Sequence, residues 1–476
     1  MANLKPGEAL PVSHPAATSA PRRDARAMQP FSGYHNRPAP DDDTFLTSTG
    51  AGTPAGEYLR RYWHPFLIAS ELKELPLPVR LLSEDLVVFR DGSGRYGLLH
   101  RHCVHRGASL EFGIVAERGI RCSYHGWHFD VDGTILDRPA ETSVRQAEPG
   151  YCQGAYPVRE YKGLLFAYMG PVDMRPEFPE YDTVAHPADN NPVPFSMSLP
   201  CNWVQIVENG ADPIHNAYLH AIVAGQQFSP AFKVLPQLDY PQTPMGMLSM
   251  ATRKVGERVF VRASDIMLPN VGQFPNGANR VERDSVGVRP YVTRWAVPVD
   301  DHHSFYIGLA HLNSYNDPDG TMRPSDYGVD QIPFIGQTAD RPYKERQQEP
   351  GDYDAVVSQG AVANRKAERL GSTDIGVVLF RRMLGNAIRD TANGVVPPVP
   401  RLFGAGTTTT TFAHEVVMRI PEKADLDDPG RLAAFGHATA QAFIDTAGMP
   451  PAEREAEVRR RVEALLQQAD ATAAAL

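Results

Sequence analysis

His102-Cys103-Val104-His105-Arg106-Gly107, followed with sixteen residues between His105 and Cys122 by Cys122-Ser123-Tyr124-His125-Gly126-Trp127, is the stretch on which the reading of this chain turns. Each short loop carries one thiol and one imidazole, as C-x-H and C-x2-H. Such a set suits either zinc or a [2Fe–2S] cluster of the Rieske type, in which one iron takes both cysteines and the other both histidines. C-x-H is tighter than the usual zinc-finger C-x2–4-C spacing. The pairing of one thiolate with one imidazole in each loop suits the cluster. Gly107 and Gly126 would let the backbone approach the sulfides and donate N–H bonds to them. Cys103, His105, Cys122 and His125 are therefore the candidate cluster ligands. His100, His102 and His128 lie close by but are read as structural or surface residues, because only two imidazoles can ligate one iron of a cluster.

Around these loops the chain reads as short strands. Leu86-Val87-Val88-Phe89 and Tyr96-Gly97-Leu98-Leu99 flank a turn with Asp91-Gly92, a hairpin signal. A short helix and connector is expected over Gly56–Leu72, and further strands run to Gly163–Tyr168. Beyond a proline- and acid-rich linker over 172–197, a helix is expected over Val204–Leu219 and strands at Val259–Val261 and Ser304–Leu312. Helices are expected at Tyr353–Arg369 and Asp374–Leu384. Val458, Val462, Leu465 and Leu466 make one face of a last, amphipathic helix.

The helix near residue 204 carries a second constellation. On regular helical spacing Glu208, Asp212 and His215 share a face. His220, five residues after His215, would lie about 140° away. The helix must break or bulge if both imidazoles are to reach one metal, and Pro213 removes one helical hydrogen bond there.

C-x-H-R-G-A followed by C-x-Y-H-G-W resembles the Rieske domain of bacterial ring-hydroxylating oxygenases, and E-N-x-x-D-x-x-H-x4-H resembles their catalytic iron motif. The resemblance reaches most of the chain beyond the N-terminal tail. Leu46-Thr47 with Gly50–Gly56 and Tyr62-Trp63, Val297–Asp301, and Glu368–Asp374 leading to Arg381-Arg382 are similar to the phthalate dioxygenase-like branch. It implies an α+β architecture: an all-β Rieske domain over 41–172, the linker 173–197, and a helix-grip catalytic domain with an antiparallel sheet over 198–476. It also implies a mononuclear non-haem Fe(II) held by His215, His220 and a distant aspartate, with O2 as co-substrate. By match to Ser358-Gln359-Gly360 that aspartate falls on Asp352, with Asp354 as the alternative, although Val357 stands where the family pattern has an acid. Asp212 matches the residue that joins His125 of one subunit to His215 of the next, in a homotrimer or stacked trimers. Asn202 and Asn209 are candidate supporting residues.

No P-loop, dinucleotide or flavin motif is present, so electrons are expected from a separate NAD(P)H-dependent reductase, directly or through a ferredoxin. The substrate is expected to be a small aromatic, carboxylated molecule, with O-demethylation of an aryl ether as the alternative chemistry. A carboxylate calls for a cation, from among Arg253, Arg258, Arg262, Arg289 and Arg294. A Rieske electron-transfer protein would leave the second histidine pair unexplained.

The bulk numbers agree with this. A chain of 476 residues can bury more than one core. A net charge of −9 disfavours a nucleic-acid partner. No run is long and apolar enough for a membrane span, and Arg22-Arg23 precedes no apolar export segment, so a cytoplasmic location is expected. The four cysteines are too few for a disulfide framework, and Cys152 and Cys201 are read as small buried hydrophobes. Residues 1–40, rich in proline and alanine, read as a disordered extension.

Overall fold

The computed structural model describes residues 29–36, 44–141, 151–223, 227–277, 281–287, 290–397, 408–422 and 424–473. One small unit comprises residues 1–42 with Asn364–Arg369. Of the expected extension, residues 29–36 form turns, and the remainder lies outside the described residues. The second unit, Asp43–Ala363 with Leu370–Leu476, holds everything discussed below.

Its N-terminal part is built from three small antiparallel sheets. The strands Leu77–Leu81, Glu84–Arg90, Tyr96–His100 and Ala155–Tyr156 form the first, with Leu86 paired to His100 and Arg90 to Tyr96 across the expected hairpin. The second contains Ile114–Val115, Ile120–Arg121, His128–Phe129 and Ile135–Asp137. Between them Val87, Phe89, Leu99, Leu110, Ile120 and Phe129 make a core that also takes in Cys103, Cys122 and Trp127. The third sheet corrects one expectation. The α-helix is confined to Pro54–Leu59, capped by the Thr53 side chain, whereas Trp63–Ile68 is a strand paired with Leu164–Tyr168 and Ala69–Glu71 a single 3-10 turn. Its buried run of aromatic and aliphatic side chains suits a strand covered on both faces.

The C-terminal part is a ten-stranded antiparallel sheet. Its main path runs Asn191–Leu199, Ser304–Leu312, Val292–Pro298, Val271–Phe274, Arg258–Met267, Gly246–Val255, Gln237–Asp239. The stretch expected to link the domains thus already enters this sheet at Asn191. Strand alternation decides the two faces. Leu248, Met250, Val259, Val261 and Val416 pack against Leu432, Phe435, Phe443, Val458, Val462 and Leu466 of the helices Pro429–Asp445 and Pro451–Ala473. The opposite face carries Ser249, Arg262 and Ser264, aligned by the cross-strand pairs Ser249–Ser264 and Ala251–Arg262. On this second face lies the helix Trp203–Gly210, with Trp203, Ile206 and Val207 in one core with Ile266, Trp295, Ile307 and Leu309.

The segments that carried the family resemblance meet in space. Thr49 N–H donates to Asp301 Oδ1 at 2.7 Å, and the Asn202 amide donates to the carbonyls of Thr47 at 2.9 Å and Asp301 at 2.7 Å. Asn202 also caps the helix that follows it. This bond set joins the opening segment, the sheet and the site helix. The expected helix over 353–369 is shorter, Asp352–Val357. It gives way to turns in which Gly360 takes a φ of +98°, a conformation suited to glycine. The other long helix runs further than expected, Ile375–Ala392.

Candidate functional site

The two cysteine loops are copies of one turn. Gly107 N–H donates to Cys103 C=O at 2.8 Å and Gly126 N–H to Cys122 C=O at 3.0 Å, both glycines at φ +75°. Each turn buries its thiol and leaves its imidazole part-exposed. The His105 and His125 rings are 4.7 Å apart, and His105 stacks on Trp127. Burial pushes the Cys103 thiol up to about 11, against the amides of His105 and Arg106 that point at its sulfur. Two buried thiols in contact but unbonded, with amides directed at sulfur and two imidazoles facing outward, fit a mixed-ligand [2Fe–2S] cluster. His102 is held by Gly107 C=O at 3.0 Å, and His128 by the Arg121 side chain at 3.2 Å, so both have structural partners. Cys201 is buried as expected, but Cys152 is exposed.

The second site forms where the helix Trp203–Gly210 breaks. Ile214 N–H turns back onto Asp212 Oδ1 at 2.9 Å. A short turn His215–Ala217 then passes into a π-helix, Tyr218–Val223. The wider π turn brings the fifth residue on towards the same side, which a regular helix does not. His215, His220 and Asp352 each offer a ligand atom, all within 4.8 Å of one another. Both imidazoles have their Nδ1 engaged, His215 on the Asp212 carbonyl and His220 on Gln227 Oε1 at 2.8 Å. Nε2 is thereby directed at Asp352, whose Oδ1 is 3.1 Å from His220 and 3.5 Å from His215. Burial alone would raise the Asp352 pKa, but the His220 and His215 charges and the Gln337 amide hold it well below the usual carboxylate range. Burial lowers His215; for His220 the Asp352 carboxylate and Gln227 overcome burial and raise it. Two imidazole nitrogens and one ionised oxygen on one side of a site match the 2-His-1-carboxylate set for non-haem iron.

Asp354, the alternative ligand, points elsewhere. It accepts from Arg341 at 3.1 Å and Arg346 at 2.6 Å and caps Gly351 N–H. Asn209 reaches Asp352 Oδ1 at 3.3 Å, but Asn202 does not line the site, because its amide is spent on the backbone bonds described above. Glu208 forms a double bond pair with Arg381, 2.7 and 3.0 Å, tying the site helix to Ile375–Ala392. Gln227 and Gln337 were not anticipated. Gln227 lies seven residues after His220 and Gln337 in a separate loop, where no local pattern marks it.

A cavity of about 280 Å³ opens against His215, His220 and Asp352. Phe228, Phe274, Tyr291 and Phe334 supply aromatic walls, and two of the five candidate arginines, Arg262 and Arg294, reach it. Arg262 is 7% exposed. It gives one N–H to Pro275 C=O at 2.8 Å and lies 3.5 Å from Ser264 Oγ, and its Nε has no partner among the described residues. Burial pushes its pKa down to about 10, so it remains charged at neutral pH. Arg253 is fully buried behind the cavity and bonds Val234 C=O at 2.9 Å. Arg258 pairs with Asp284, and Arg289 lies outside the described residues.

A β domain with two paired Cys/His loops, joined to an antiparallel sheet whose site helix presents a 2-His-1-carboxylate set beside a cavity, defines a Rieske-type oxygenase. Residues 62–148 match the family described as Rieske [2Fe-2S] domain. The tert-butanol monooxygenase / tert-amyl alcohol desaturase oxygenase subunit of Aquincola tertiaricarbonis is 42% identical, over 91% of this chain and 96% of its own. The phenoxybenzoate dioxygenase subunit alpha of Ectopseudomonas oleovorans is 34% identical over 78% and 90%, and the phthalate 4,5-dioxygenase oxygenase subunit of Pseudomonas putida 30% over 73% and 86%. The solved structure of NdmA from Pseudomonas putida CBB5 shares the fold, with a TM-score of 0.50 over 71% of this chain and 96% of its own at 19% identity. The chain belongs to the Rieske non-haem iron oxygenases, as a terminal oxygenase subunit. No helix among the described residues is long and apolar enough to cross a membrane.

Proposed function

We propose that this oxygenase oxidises a small carboxylated aromatic molecule, with electrons from a separate NAD(P)H-dependent reductase, directly or through a ferredoxin. One observation carries the substrate class. A buried, charged Arg262 with an unpartnered Nε lines an aromatic-walled cavity that ends at the three candidate ligands. Glu415, opposite it on the neighbouring strand, and Asp352 supply part of its counter-charge, and a substrate carboxylate would add to them from the cavity side.

Cys103, His105, Cys122 and His125 would hold the cluster, and His215, His220 and Asp352 the iron. The domain that carries the cluster would span 41–172 and the one that carries the iron 198–476. The cluster supplies single electrons, and the iron, when bound, supplies the activation of O2. The residues around them have separable tasks. Gln227 and the Asp212 carbonyl hold the protons of His220 and His215 on Nδ1, leaving Nε2 as donor. The Asp212 carboxylate, with one oxygen on Ile214 N–H, would meet His125 of a neighbouring subunit, and the active unit would then be an oligomer. Arg262 would anchor the carboxylate, and Phe228 and Phe334 would flank the ring.

A second reading, a small branched alcohol, is favoured by the 42% identical relative, whose name places tert-butanol as its substrate. The test is reductase-driven O2 uptake by the iron-loaded protein across benzoates, phthalates, methoxybenzoates and tert-butanol, with product analysis. Coupled turnover of an aromatic acid supports the first reading, and formaldehyde release marks it as demethylation. Turnover of tert-butanol with no aromatic acid turned over overturns it.

A further inference from the structure

Asp352 carries two oxygens, and the structure treats them differently. Oδ1 faces Nε2 of both histidines and takes only a long bond, 3.3 Å, from the Asn209 amide. Oδ2 accepts a hydrogen bond from Gln337 Nε2 at 2.7 Å. Gln337 is 5% exposed and belongs to a different loop, fifteen residues before its partner. Its placement is rigid for a reason that lies in the backbone. Gly336 and Gly351 pack so closely that a Cβ on Gly351 would stand 2.4 Å from the Gly336 Cα. Tyr353 N–H donates to the Gly336 carbonyl at 3.0 Å. The residue before Gln337 is thus joined to the residues on either side of Asp352.

We propose that Gln337 is a positioning residue that makes Asp352 a one-oxygen ligand. An amide N–H cannot bind a metal, and it engages one of the two lone pairs of Oδ2 and draws charge from that oxygen, which biases the metal towards Oδ1. Two histidines and one carboxylate oxygen leave three of six positions free at an octahedral iron, whereas a carboxylate gripping through both oxygens leaves two. Gln337 therefore keeps one further position available beside the cavity, which it also lines. The charge-assisted bond from a buried amide to an ionised carboxylate is strong enough to set that choice.

The inference rests on the iron assignment above, and the two fail differently. A crystal structure of the wild-type protein loaded with Fe(II) is the first test. Asp352 bound through Oδ1 alone, with Gln337 on Oδ2, is the expected result. Iron bound through both oxygens overturns this inference while leaving the assignment intact, and iron bound elsewhere overturns the assignment itself. The second test is Gln337→Met, similar in length and without a donor, with Gln337→Leu as its companion and the Rieske absorption and circular dichroism as checks on folding. Near-infrared magnetic circular dichroism of the ferrous site should change its coordination number. The affinity of that site for nitric oxide should fall about ten- to a hundredfold, the range one hydrogen bond to a charged group is worth. A chelating carboxylate should hold iron at least as tightly, so iron content is expected to persist. Gln337→Asn, which keeps the amide, should recover part of the wild-type spectrum. A folded variant with wild-type spectrum and nitric oxide affinity, or one that loses its iron, shows that Gln337 only packs the site and overturns the proposal.

Discussion

Replacing Arg262 by Gln removes the charge while keeping a polar side chain. Arg262 has five N–H donors. Pro275 C=O takes one at 2.8 Å, Ser264 Oγ stands at the long limit of 3.5 Å, and Nε–H has no partner among the described residues. A carboxylate bound to the open side would accept two charge-assisted bonds. At about 1.5–3 kcal/mol each, and with part of the second recovered by the glutamine amide, the loss is about 3–4 kcal/mol, or two to three decades in kcat/KM. The assay is the kcat/KM for the best aromatic acid of the panel against that for its neutral amide, each in wild type and R262Q. The acid should lose 100- to 1000-fold and the amide less than about threefold, so that the ratio inverts. Arg262→Lys should recover only part, because a point charge replaces a planar fork. Arg262→Met leaves Glu415, buried directly opposite on the neighbouring strand, without that cation, so it should melt below the wild type, and the acid-to-amide ratio is the readout that separates substrate binding from packing. Equal losses for acid and amide would refute the reasoning and make Arg262 a structural residue.

Four further outcomes are expected. Asp352→Ala should abolish the mononuclear iron but leave the Rieske absorption, and full iron occupancy in that variant would remove Asp352 from the ligand set. Gly351→Ala should lower iron affinity and melting temperature together without changing the cluster spectrum, because its Cβ would meet Gly336 at 2.4 Å. Asp212→Asn should keep both metal sites while slowing oxidation of the reduced cluster during a single turnover by 100-fold or more, with unchanged electron transfer as the contrary result. The last concerns pH. Burial lowers His64 to about 4 and His311 and His414 to about 3. Below the unfolded value near 6.5 the unfolded chain binds protons that the native one refuses, so stability falls with pH by up to about 1.4 kcal/mol per unit for each histidine. Asp265, raised to about 7 by burial, acts in the opposite sense between about 4 and 7 and offsets about one of the three. Denaturant melts at pH 6.5 and pH 5 should therefore differ by up to about 4 kcal/mol, and equal midpoints would show that these histidines are protonated in the native state.

Much of the architecture was legible because its signals are local. The hairpin at Leu86–Leu99, the paired Cys/His loops, and the face of Val458, Val462 and Leu466 rest on spacings within a few residues. The misreadings share a cause as well. Trp63–Ile68 follows directly on a helical start, and its partner strand Leu164–Tyr168 lies a hundred residues away, where local sequence gives no sign of the pairing. The helix expected to reach Arg369 ends at Val357 because Gly360 needs a left-handed backbone. Of the five arginines, Arg253 and Arg262 lie on the same face of adjacent strands, and only the depth of the cavity along the sheet separates a buried support from a cavity wall. Gln337 had no local signal, since its meaning comes entirely from Asp352 fifteen positions on.

Asp212 divides its two tasks between its backbone and its side chain. The motif marks it as the link between two metal centres, which implies that its carboxylate holds His215. In the structure the carbonyl of Asp212 accepts the His215 Nδ1 proton, while the nearer free carboxylate oxygen, Oδ2, is 3.9 Å away. The turn at Asp212–Ile214 therefore orients the histidine by backbone alone and would do so with asparagine in place. Its carboxylate, part-exposed and with Oδ1 on Ile214 N–H, is released from orienting work. A group freed in this way can accept a proton from outside the subunit without disturbing the iron ligand behind it. That separation is why Asp212→Asn is expected to interrupt transfer between centres and yet leave His215 in place, an outcome the motif alone would not predict.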